Sequence, residues 1–123
     1  MNPEWVRIAE LAYLDRAHPV AARVAGIDVV VVRVGGAPRV LYGRCTHRNA
    51  LLAEGQVTDG ILVCARHGWD YDCATGRSRC DDNEALAVFA CEVRDGGVWV
   101  DAAAMGRWRL ATPMDFYEDE LDP

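Results

Sequence analysis

Two short segments set a thiol beside an imidazole: Cys45-Thr46-His47 and, after 16 intervening residues, Cys64-Ala65-Arg66-His67. Thiolates and imidazoles are ligands for soft or borderline metals. Four of them act together only if a rigid framework holds two loops side by side. Each pair directly follows a run that reads as a β-strand, so the chain must end two strands at a common point. A Cys-x-His pair is short enough to serve two adjacent metal ions, and Cys-x-x-His does the same from the second loop.

The remaining sequence supplies such strands. Ile27–Val34 is dominated by β-branched residues, and Gly35-Gly36 then turns the chain into Pro38–Tyr42. Ile61–Cys64 follows the turn signal Asp59-Gly60. Residues 87–93 alternate loosely, Asp95-Gly96-Gly97 turns the chain, and Val98–Val100 returns it as a hairpin. Only Glu10–Asp15 hints at a helical turn. About seven short strands without a long helical period predict an all-β sandwich or barrel. No internal repeat is present, and 123 residues, 51% of them hydrophobic, suit one folded domain.

Charge narrows the function classes. The net charge of -6 argues against a binder of nucleic acid or of an anionic membrane surface. Residues 115–123 alone contribute -5, through Asp115, Glu118, Asp119, Glu120 and Asp122. The first 114 residues are therefore nearly neutral. Five cysteines is an odd number, and charged residues from Arg7 to Arg23 interrupt any signal-like apolar stretch. No apolar run approaches the length that crosses a bilayer. A cytoplasmic chain is expected, its cysteines acting as ligands or free thiols.

At the motif level, Cys45-Thr46-His47-Arg48 and Cys64-Ala65-Arg66-His67-Gly68-Trp69-Asp70-Tyr71-Asp72 resemble the two cluster loops of Rieske-type ferredoxins. The Gly55–Gly60 stretch and the Thr75-Gly76 turn fit the same pattern, and the resemblance covers about residues 4–101. It implies an all-β, Rieske-type β-sandwich or barrel over 1–104. Two loops, at about 44–50 and 64–72, would form a small cluster-binding subdomain, with an acidic tail or linker over 105–123. In a Rieske [2Fe–2S] centre, histidines replace two cysteines on one iron. By resemblance, Cys45 and Cys64 hold the inner iron as thiolates, and His47 and His67 hold the outer iron near the surface. Reduction then takes the site from zero to -1 charge. The surface histidines hold their second protons more tightly as a result, which couples potential to pH.

Respiratory Rieske proteins carry an extra cysteine in each loop, joined as a bracing disulfide. Here Ala50 and Arg66 stand at those positions, and Asn49 stands where many ferredoxins have glycine. The chain thus resembles the unbraced ferredoxins of oxygenase systems. A potential near the low end of the Rieske range, about -150 mV, is expected from solvent exposure and few hydrogen bonds at sulfur. Arg44, Arg48 and Arg66 flank the ligands and read either as solvated loop residues or as a cationic rim that steers a partner. Cys73 and Cys80 flank a turn and read as free thiols, Cys91 as a buried core thiol and His18 as a surface residue. Trp69 is expected to shield the cluster, and Trp5, Trp99 and Trp108 to pack in the core.

The resemblance implies a one-electron carrier with a Rieske [2Fe–2S] cluster and no substrate site of its own. It would accept electrons from a flavin or iron–sulfur reductase and pass them to a terminal oxygenase or another redox enzyme. A second reading is an N-terminal Rieske module or small subunit of a larger oxidoreductase. Residues 69–89 are similar to modules of glutamate-synthase-like flavoproteins, and a nitrite reductase subunit is another setting. The third is a zinc-stabilised interaction domain, although zinc sites usually show Cys-x-x-Cys knuckles that this order lacks. Segment 105–123 reads either as a tail wrapping the domain through Trp108 and Phe116 or as a linker.

Overall fold

A computed structural model describes residues 2–14, 17–46, 50–66, 68–80 and 84–112. His47, Arg48, Asn49, His67 and Phe116 lie outside the described residues, as does the acidic run 115–123. Strand β1 spans Trp5–Glu10, β2 Val20–Val24, β3 Ile27–Val34, β4 Ala37–Tyr42 and β5 Gln56–Thr58. Strand β6 then spans Ile61–Val63, β7 Asp70–Asp72, β8 Val88–Phe89, β9 Cys91–Arg94 and β10 Gly97–Asp101. Pairing is antiparallel throughout, in three sheets of order β1-β10-β9, β2-β3-β4-β8 and β5-β6-β7.

Turn chemistry sets these hairpins. Ala25-Gly26, Gly35-Gly36, Asp59-Gly60 and Asp95-Gly96 each place two consecutive residues at positive φ, from 48° to 85°. That is the requirement of the two-residue turn whose twist matches the strands it joins. Val29, Val30, Val31 and Val32 of β3 are all at most 1% exposed, so this strand is buried on both faces. Val40 and Leu41 of β4, Leu62 of β6, Tyr71 of β7 and Val98 and Val100 of β10 complete the same core without exposed surface.

One helix, α1 at Ala102–Ala111, follows β10 directly. Strand periodicity does not foresee it, yet Asp101 before three alanines is a helix-start signal. The Asp101 carboxylate accepts from the N–H groups of Ala103 and Ala104 at 3.0 and 3.3 Å, and also from Glu4 N–H at 2.9 Å. These bonds, with that to Glu4 first, hold its carboxyl below the usual range. The helix reaches back across the β4–β8 sheet. Its Trp108 ring lies 4.9 Å from Phe89 in an edge-on arrangement and 5.7 Å from Tyr42. No helix among the described residues is long and apolar enough to cross a membrane.

Candidate metal centre

The first loop leaves the end of β4. Gly43 N–H donates to Asp28 O on β3 at 2.8 Å, and Leu52 N–H returns to Gly43 O at 2.9 Å. Inside that closure, Cys45 N–H donates to Ala50 O at 2.8 Å. A Cβ at Gly43 would lie 2.9 Å from the backbone of Asp28 and Val29, so only glycine allows this approach. Cys45 is 1% exposed.

The second loop leaves the end of β6. Cys64 N–H donates to Trp69 O at 2.8 Å, and Gly68 N–H donates to Cys64 O at 3.1 Å. Cys64 is likewise 1% exposed, whereas Ala65 and Arg66 at the tip are exposed. Gly55 passes so close beneath this loop that a Cβ would land on the Val63 carbonyl oxygen. Gly76 meets the Leu86 carbonyl in the same way. The two glycine-bearing stretches noted in the sequence thus pack backbone on backbone around the second hairpin.

Tyr71 joins the two loops. Strand alternation turns it inward between Asp70 and Asp72, opposite Leu62, and it has no exposed surface. Its hydroxyl lies 3.1 Å from Cys45 Sγ and 2.9 Å from Thr46 Oγ1, and accepts from Thr46 N–H at 3.1 Å. Burial above all, and the bond with Cys45 after it, push the phenol well above its usual range. A hydroxyl thus stands against Cys45, one hydrogen bond at an expected ligand sulfur. Sequence patterning had not singled out Tyr71, although an aromatic flanked by two acids in a strand is the signature of an inward residue.

Arg44 also differs from its expected role. Its Nε and Nη2 both lie 3.0 Å from Asp28 Oδ2, with both side chains half-buried. It is a strut between β3 and the first loop rather than a freely solvated residue. Arg66 is exposed as expected, and Arg48 lies outside the described residues.

The other thiols stand apart from this centre. Cys73, Cys80 and Cys91 are free. Cys73 is fully buried, which pushes its thiol up to about 11, with Asp72 adding to the effect. Cys80 is exposed and places Sγ 3.6 Å from Asp70 Oδ1. Cys91 is half-buried on β9, packed against the core rather than within it. Trp69 is half-buried against the core, and Trp5 and Trp99 are half-buried beside the Arg94 guanidinium, at 4.7 and 5.8 Å.

Of the four expected ligands, Cys45 and Cys64 are described and end neighbouring strand systems bridged by Tyr71. His47 and His67 lie outside the described residues. Two water-excluded thiols, one facing a hydroxyl, suit an iron–sulfur group: thiolates take iron, and a buried O–H able to donate would compensate charge on sulfur.

Comparison with known proteins supplies the remaining findings. Residues 4–91 match the model of the Rieske [2Fe-2S] domain. The ferredoxin subunit of anthranilate 1,2-dioxygenase from Burkholderia cepacia is 33% identical, over 80% of this chain and 92% of that protein. Methylxanthine N1-demethylase from Pseudomonas putida is 29% identical over 78% of this chain but only 31% of its own length. The chain spans less than a third of the length of the first curated relatives it matches. Among solved structures, the complex of reduced oxygenase and oxidized ferredoxin in carbazole 1,9a-dioxygenase contains a similar chain. That chain has a TM-score of 0.72 and 27% identity, covering 82% of this chain and 95% of the other.

Proposed function

This chain belongs to the Rieske [2Fe–2S] family, and we propose that it is a one-electron carrier between a reductase and a terminal oxygenase. The family's [2Fe–2S] cluster is its cofactor. When bound, the cluster takes up and releases single electrons at iron; the chain's own residues hold, shield and bias it. Cys45 and Cys64 would hold one iron as thiolates, and His47 and His67 would hold the other.

The observation that carries this reading is two buried thiols, one in the loop after β4 and one after β6, with the hydroxyl of Tyr71 from the second hairpin 3.1 Å from Cys45 Sγ. Burial excludes water from the thiolates, and the Tyr71 O–H donates toward Cys45 Sγ. The similarity to the anthranilate dioxygenase ferredoxin, and to the ferredoxin seen with carbazole dioxygenase, supports an oxygenase as acceptor. A flavin or iron–sulfur reductase completes the sequence as donor.

Iron and acid-labile sulfide analysis tests the assignment. Two of each per chain are expected, with one-electron reduction by a reductase and reoxidation by an oxygenase. Stoichiometric zinc in a colourless protein would overturn it. A second reading, in which this unit is an N-terminal Rieske module or small subunit of a larger oxidoreductase, rests on the demethylase, of which the chain spans 31%. An immunoblot of native extract separates the two: a band at 13.5 kDa supports the free carrier, and a much larger one the module.

A further inference from the structure

The hydroxyl of Tyr71 has three neighbours and a single proton. It can donate once and accept twice. Thr46 N–H is only a donor, so at 3.1 Å it fills one lone pair. Cys45 Sγ at 3.1 Å and Thr46 Oγ1 at 2.9 Å each can take either part when Cys45 is a thiol. With Cys45 as a thiol the proton of Tyr71 therefore has two directions open to it, toward sulfur or toward Thr46.

Ligation removes that freedom. On the reading that Cys45 binds iron, its sulfur is a thiolate and can only accept. The proton of Tyr71 then points at sulfur, and the second lone pair of Tyr71 is left to the hydroxyl of Thr46. We propose that Thr46 is a positioning residue whose hydroxyl donates to Tyr71, fixing and strengthening the bond from Tyr71 to Cys45 and so raising the reduction potential. The chain runs one way: Thr46 O–H to Tyr71 Oη, and Tyr71 O–H to Cys45 Sγ. Successive hydrogen bonds polarise one another in a buried, low-dielectric setting. The effect is larger when the cluster is reduced, because the sulfur then carries more negative charge and the bond to it is charge-assisted. Thr46 lies half-buried between an iron ligand and the loop tip, so its hydroxyl acts through Tyr71 and need not touch the cluster.

The test compares Thr46→Val, Thr46→Ala, Thr46→Ser and Tyr71→Phe in the cluster-loaded protein. Iron and sulfide content is measured first in every variant and in the parent chain. A parent without cluster would refute the proposed function itself and is read separately from the potentials. Redox titration is then expected to give a lower midpoint for Thr46→Val and Thr46→Ala, with a smaller downward shift than for Tyr71→Phe. Thr46→Ser should restore the parent value, and Thr46→Val should add nothing in a Tyr71→Phe background. An unshifted midpoint in loaded Thr46→Val or Thr46→Ala would overturn the proposal. So would an undiminished effect of Thr46→Val without the Tyr71 hydroxyl. Failure of both hydroxyl-free variants to load, while Thr46→Ser loads, would also overturn it, in favour of a purely structural role.

Discussion

The two cysteine loops look alike in sequence but are held by different means. The first is tied outward: Gly43 bonds to β3, Arg44 is clamped on Asp28, and Cys45 and Thr46 meet Tyr71 from another sheet. The second is closed by a short backbone turn from Cys64 to Gly68 and Trp69, with Trp69 packed on the core. Its position depends on what passes beneath it, chiefly the backbone at Gly55. Both loops rest on close backbone packing, at Gly43 and at Gly55, but the first adds side-chain and charge ties, so substitutions should injure them unequally.

The largest injury is expected from Gly55→Ala, which drives a methyl into the Val63 carbonyl beside Cys64. Backbone cannot yield as a flexible side chain does, so a loss of about 3 kcal/mol or more and a fall in bound iron should follow, read by chemical denaturation and metal analysis. The second loop is also the side exposed to alkali. Buried Cys73 follows β7 and keeps its proton up to about 11, against the ordinary 9.0. Its unfolded form ionises first, so the stability it contributes is complete below pH 9 and disappears between 9 and 11. The loss reaches at most about 2–3 kcal/mol at 1.36 kcal/mol per unit. Thermal midpoints should fall across that window, with a shallower slope in Cys73→Ala.

Asp28→Asn addresses the first loop alone. It leaves the half-buried Arg44 cation without its carboxylate and should cost about 1 kcal/mol in denaturant midpoint measurements, with the second loop unaffected. Tyr71→Phe removes the link between the loops with little loss of volume. Its midpoint potential should drop by a few tens of millivolts, since about 1 kcal/mol of preference for the reduced state corresponds to about 40 mV for one electron. An unchanged potential would mean that the first loop is tuned by its other ties.

Much of the framework was legible because it obeys local rules. The Val29–Val32 run and the turns at Gly35-Gly36, Asp59-Gly60 and Asp95-Gly96 lay out β3, β4, β6, β9 and β10. Strands β1, β2, β5 and β7 were not foreseen. Trp5 of β1 pairs with Asp101 at the far end of the domain, whereas β5 and β7 pair locally with β6 but have only three residues each, too few to show alternation. Helix α1 was hidden for a related reason: its apolar residues pack on Tyr42 and Phe89 without a clean stripe, so Asp101 was its main signal. At the centre itself, ligand types and spacing were readable at Cys45 and Cys64. The surrounding bonds were not. Asp28 with Arg44, and Tyr71 with Cys45, are 16 and 26 residues apart and meet only through the folded sheets.

The Thr46–Tyr71 bond also bears on how the molecule opens. An amide of the first loop is closed by a side chain of the second hairpin, so neither can detach without breaking the other's contact. Local unfolding normally proceeds in units of this kind. Here the bond ties the loop that carries Cys45 to the hairpin that follows Cys64, so a competing chelator is expected to draw the two thiols out together, in a single kinetic phase.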